Sequence, residues 1–70
     1  TYDEHYSKNK FQATEFIIDA GHGEGFCIGN IMKYAQRYGK KDGKNRKDLL
    51  KVIHYAIIAL YINEIEESNK

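Results

Sequence analysis

Seventy residues with a formal net charge of +1 leave room for one domain, and exclude a strongly basic or strongly acidic protein. The single cysteine, Cys27, excludes an internal disulfide and a thiolate-rich zinc site. So short a chain buries too little apolar surface for comfortable stability alone, and a partner subunit is the expected support.

The first ten residues, TYDEHYSKNK, show no hydrophobic period and predict an extended arm. Residues 11–66 then read as a helical core, making 1–70 a single helical domain. In FQATEFIIDAGHG, Ala13, Phe16, Ile17 and Ala20 recur at the spacing of one helix face. Gly21 and Gly23 end that short helix, since glycine tolerates the left-handed backbone of a helix C-terminus. The segment GFCIGNIMKYAQRYG places Ile28, Ile31, Met32 and Ala35 on a second apolar face. It predicts a helix from about Gly25 to Tyr38, closed by Gly39, with Asn30, Lys33 and Arg37 on the opposite side.

KKDGKNRKD predicts a turn with Asp42-Gly43 at its tip, and the longest helix follows from about Arg46 to Glu66. Asp48 suits its first turn, where the helix dipole favours negative charge. From Val52 to Ile62 this helix is apolar almost all round, and such a helix needs cover on every side. One short hairpin cannot supply it, so the third helix predicts a homo-oligomer interface. The fold class expected is all-α, with three helices (short, medium, long). No alternating run supports a strand reading.

Eight of the 11 Lys and Arg residues lie between Lys33 and Lys51, beside two acids. A P-loop would need G-x-x-x-x-G-K-[ST] between a strand and a helix; here the spacing is wrong and a helix precedes. GHGEG likewise lacks the strand that opens a dinucleotide fingerprint. Lys33 and Arg37, four apart, with Asn30 one turn earlier, form a set able to hold a phosphate: arginine as a fork, lysine as a point charge. An ordinary solvated helix face explains them equally well. Lys40, Lys41, Lys44, Arg46 and Lys47 read as solubilising turn charges that raise the local potential. The rings of Tyr6, Tyr34 and Tyr55 suit either base stacking or packing. His54, in its apolar run, reads as a core or interface histidine, and Cys27 as a packed small residue. Glu15 and Asp48 are the carboxylates best suited to magnesium, though two separated acids are a weak signal.

HY near the start, F-x-A-x-E-F-I, then G-F-C-I-G-N-I-M-K-Y-x-x-R-Y-G-K-K and K-D-L-x-K-x-x-x-Y together carry a resemblance. The chain resembles a small bacteriophage domain family of formerly unknown function that includes the C-terminal region of T7-type phage nucleotide kinase. The likeness spans roughly residues 5 to 60, its most specific part being G-N-x-x-K-Y-x-x-R. It departs at Ala13, where related sequences often carry proline, and in lacking the additional domain of larger members. Position by position it points to His5, Tyr6, Asn30, Lys33, Tyr34, Arg37, Lys40, Lys51 and Tyr55 as ligand-binding residues. Gly29 belongs to the same pattern, and Glu15 and Asp48 would hold magnesium. The resemblance implies a nucleotide ligand and phosphoryl transfer. With no P-loop or clear catalytic base, a non-catalytic sponge for a cyclic signalling nucleotide of host anti-phage defence is the alternative. Nucleic-acid binding through the basic loop is a further alternative, against which the near-neutral charge counts.

No apolar run reaches the roughly 18 residues of a membrane span, and no signal peptide is visible. An unpaired cysteine fits a reducing compartment. The expected location is cytoplasmic, the host cytoplasm if the protein is phage-encoded.

Overall fold

A computed structural model of the chain describes residues 12–69, all-α with three helices and no strand among them. The arm expected at 1–10 lies outside the described residues.

Helix α1 spans residues 12–19. It ends in a Schellman turn: the His22 N–H donates to the Ile17 carbonyl at 3.1 Å and the Gly21 N–H to Ile18 at 3.0 Å. Gly21, at φ +87°, supplies the left-handed residue that this turn requires. Helix α2, Gly23–Arg37, starts two residues earlier than its periodicity suggests. Three glycines lie within it, each costing roughly 1 kcal/mol of helix propensity relative to alanine, so packing rather than propensity holds it. Gly25 faces open space. Gly25→Ala is therefore expected to raise stability by roughly 0.5–1 kcal/mol, read as an upward shift of the urea midpoint.

The turn after α2 carries consecutive positive φ angles at Asp42 (59°) and Gly43 (71°), the combination that Asp-Gly tolerates best. Helix α3, Arg46–Ser68, begins at Asn45, whose side chain accepts the Lys47 N–H at 2.9 Å. Helices α2 and α3 run antiparallel: Gly23 lies against Ile62, and Arg37 against Asp48. Cys27, Tyr55 and Ile62 form the buried core, with Ile18, Phe26, Ile31, Tyr34, Ile58 and Ala59 packed around it. Burial pushes the Cys27 thiol above its ordinary value, so it is held as a neutral, packed group.

Two expected faces turn out differently. On α1, Phe16 is 74% exposed and Ala13 and Ala20 are also outside, while Ile17 and Ile18 turn inward. On α2, Met32 is 65% exposed and Ile28 and Ala35 face solvent; the inward face runs through Gly23, Cys27, Ile31 and Tyr34. The cause is geometric. Helix α2 carries apolar residues over more than one arc, and α3 covers only one of them. The arc with glycine and cysteine permits the closest approach, so it wins the contact. Asn30 and Arg37 thereby lie at the edge of the packed face instead of opposite it.

Candidate functional site

The antiparallel hairpin sets residues equidistant from the Asp42–Gly43 tip against one another. The last turn of α2 thus meets the first turn of α3. Asp48, only 3% exposed, stands at this junction. Its Oδ1 lies 3.4 Å from Arg37 Nε, close enough for an ion pair but too poorly aligned for a hydrogen bond. Asp48 Oδ2 and Arg37 Nε are buried without a hydrogen-bond partner among the described residues. The Arg37 side chain is nevertheless 31% exposed, so its exposure lies away from Nε.

One turn back along α2 and about two turns along α3, Tyr34 stacks on Tyr55, with ring centroids 6.1 Å apart and planes inclined by 8°. Two ammonium groups flank the Tyr34 ring: Lys33 Nζ at 4.9 Å and Lys51 Nζ at 6.0 Å from its centroid. An aromatic ring attracts cations by its quadrupole, so Tyr34 gathers one lysine from each helix. Lys33, Arg37 and Lys51 thus lie at one end of the hairpin, where the buried carboxylate of Asp48 stands beside Arg37. Tyr55 is 4% exposed and meets Phe26 edge-on at 5.7 Å, so its ring serves the core. His54 is exposed and stands edge-on to Tyr55, with centroids 5.0 Å apart.

The remaining expected residues lie apart from this cluster. The Asn30 amide donates from Nδ2 to the Phe26 carbonyl at 2.8 Å, which holds it against its own helix. Lys40 is exposed in the turn. His5 and Tyr6 lie outside the described residues. Glu15 is exposed on α1, whereas Asp48 is buried beside Arg37, and no group of three or more His, Cys, Asp or Glu stands together for a metal among the described residues. The Arg37–Asp48 pair is the feature that reading each helix alone misses. Its signal was available: the two residues stand at equal distance on either side of the Asp-Gly tip.

A shallow apolar depression of about 370 Å³ lies elsewhere on the α2–α3 seam, lined by Ile28, Ile31, Ala56, Ala59 and Leu60 and rimmed by Glu24 and Glu66. Its acidic rim makes it a poor seat for an anion. No helix among the described residues is long and apolar enough to cross a membrane.

Fold and site define a small helical-hairpin protein with a cationic, tyrosine-centred end. The chain belongs to the DUF3310 family, described as proteins of unknown function, whose pattern matches residues 1–57. That span takes in the whole cationic end and stops within α3. No curated protein and no solved structure matches the chain significantly.

Proposed function

We propose that the chain binds a nucleotide through its phosphates at the cationic end of the α2–α3 hairpin. The observation that carries this reading is that Lys33 and Lys51, from two helices, flank the Tyr34 ring, with Arg37 one turn further along α2 beside Asp48. Two ammonium groups act as point charges, and the guanidinium supplies directional donors. Asp48 pairs with Arg37 at Nε, and the side chain keeps part of its surface open to solvent. The resemblance to phage nucleotide kinase domains supplies the nucleotide part of the proposal, and with it a role in host cytoplasm. Asp48 is assigned to Arg37, whose charge it already balances. Magnesium, in this reading, arrives with the nucleotide phosphates.

Calorimetric titration of a panel of mononucleotides, triphosphates and cyclic dinucleotides tests the proposal. Lys33→Ala, Lys51→Ala and Arg37→Ala are each expected to lose about 1.5–3 kcal/mol of affinity, the range for a hydrogen bond to a charged group. Lys44→Ala, in the turn, is expected to lose well under about 1 kcal/mol, and less still at high salt. Circular dichroism run beside each titration separates lost binding from lost fold. Larger losses from turn variants than from helix variants would reject this placement of the ligand. Recovery of intact nucleotide in stoichiometric amount identifies a sponge, whereas a new phosphorylated product with turnover identifies a kinase.

A further inference from the structure

The face of α3 opposite its buried Asp48, Tyr55 and Ile62 carries an ordered series, which at Leu60 borders the depression on the α2–α3 seam. Arg46, Leu50, Ile53, Ile57, Leu60 and Glu64 are all exposed, and successive members are four, three, four, three and four residues apart. That is the seam spacing of a coiled coil. The four central residues are large and apolar, with Ile57 63% exposed and Leu60 59%. The described chain has no third layer to set on them, since α1 packs by Ile18 near Gly23 on the other side.

The series is also a palindrome in chemistry. A cation opens it, an anion closes it, and the apolar residues between are symmetrically spaced. We infer that a second copy of this chain docks on this face, with the two α3 helices antiparallel about a two-fold axis. In that register Arg46 meets Glu64 of the second copy, Leu50 meets Leu60, and Ile53 meets Ile57. Each contact occurs twice, as an isologous interface requires. A parallel pairing would instead set Arg46 beside Arg46 and Glu64 beside Glu64, placing like charges at both ends.

The area is also adequate. With Leu49 and Tyr61 at its flanks, the stripe offers on the order of 500 Å² of apolar surface, most of the roughly 800 Å² per partner in a standard interface. This inference is independent of the phosphate reading, because the cationic cluster lies on the α2-facing side of α3. It also separates two adjacent isoleucines: Ile57 faces outward, while Ile58 packs against the core of its own chain.

Sedimentation equilibrium tests the pairing by charge exchange. Wild-type protein is expected to be associated at micromolar concentration, and Ile57→Asp to be monomeric with its helicity retained. Arg46→Glu and Glu64→Arg should each weaken association by about tenfold or more, since either change creates two like-charge contacts per pair. A one-to-one mixture of these two variants should recover wild-type association, because every end contact is again between opposite charges. The double variant carrying both changes should recover it too. A monomeric wild type, or a mixture no better associated than its components, would overturn the proposal. If a charge variant loses helicity, Ile53→Cys mixed with Ile57→Cys carries the same test. Oxidation should then link the two variants to each other faster than either to itself; the opposite preference rejects the antiparallel register.

Discussion

Replacing Asp48 by alanine is expected to lower the stability of the fold by about 2–3 kcal/mol. Removing one member of a buried ion pair costs about 3–5 kcal/mol when the survivor is fully enclosed. Arg37 is 31% exposed, so water recovers part of that loss. Its Nε is nonetheless buried, and without Asp48 a cationic group faces a closed hairpin end with no counter-charge from that carboxylate. Asp48 also sits in the first turn of α3, where its charge complements the helix dipole by roughly another 0.5 kcal/mol. The reverse change, Arg37→Ala, should cost at least as much, because Asp48 is the more buried partner. Asp48→Asn keeps the shape and loses the charge, so it should fall between wild type and Asp48→Ala. Urea unfolding of the two alanine variants and their double variant supplies the check. The double variant should be less destabilised than the sum of the singles, by about 1 kcal/mol or more, since the residues are in contact. Strict additivity would show that the pair contributes nothing as a pair.

This coupling bears on how binding data at Arg37 are read. A guanidinium restrained by an ion pair at 3.4 Å has less rotamer entropy to lose in any further contact. Lys44 and Lys40, exposed in the turn, have no such restraint among the described contacts. The division between helix-borne and turn-borne cations follows from that difference in order, not from charge, which is equal in both groups.

The three helices and the turn were legible because their signals are local. Asp42-Gly43 and Gly39 break the pattern, and the helical period is clear on either side. Asn45 as the cap of α3 is an equally local signal, an amide just before the first helical turn. The inward faces of α1 and α2 were not legible. Phe16 and Met32 satisfy a helical wheel as well as Ile18 and Cys27 do, and only the partner helix decides between them. The Arg37–Asp48 pair was legible only from the hairpin as a whole, through the equal distance of both residues from the Asp-Gly tip. A wheel drawn for one helix contains no information about the other, so Asp48 read as a free carboxylate suited to a metal. Lys33, Tyr34, Arg37 and Lys51 were all named from the sequence, but the approach of Lys51 to the Tyr34 ring, across from Lys33, depends on the antiparallel register.

Of the glycines, Gly23 is the one closely packed, and Gly23→Val is expected to cost about 3 kcal/mol or more. A β-carbon there would lie 2.7 Å from Ile62 Cδ1 and 3.0 Å from Ile18 Cγ1, so α1 and α3 both press on this point of α2. It would also lie 3.3 Å from Ile18 Cα, which is backbone and cannot rotate away. Gly23→Ala already creates these contacts and should cost about 1–3 kcal/mol, despite the better helix propensity of alanine. Valine adds two methyl groups to an occupied space. Because Ile62 Cδ1 is the nearest atom and the free end of a side chain, Ile62→Val should recover part of the Gly23→Ala loss. On its own, Ile62→Val should cost about 0.5–1.5 kcal/mol. The double variant is therefore expected to be more stable than the two single effects predict when added. Recovery should stay incomplete, since the contact with the Ile18 backbone remains. Thermal unfolding of the four proteins measures this cycle, with Gly25→Ala as a control at a glycine that faces open space. If Gly23→Ala matches or exceeds wild-type stability, or if Ile62→Val adds its full cost on top, the three helices do not meet at Gly23 as closely as described.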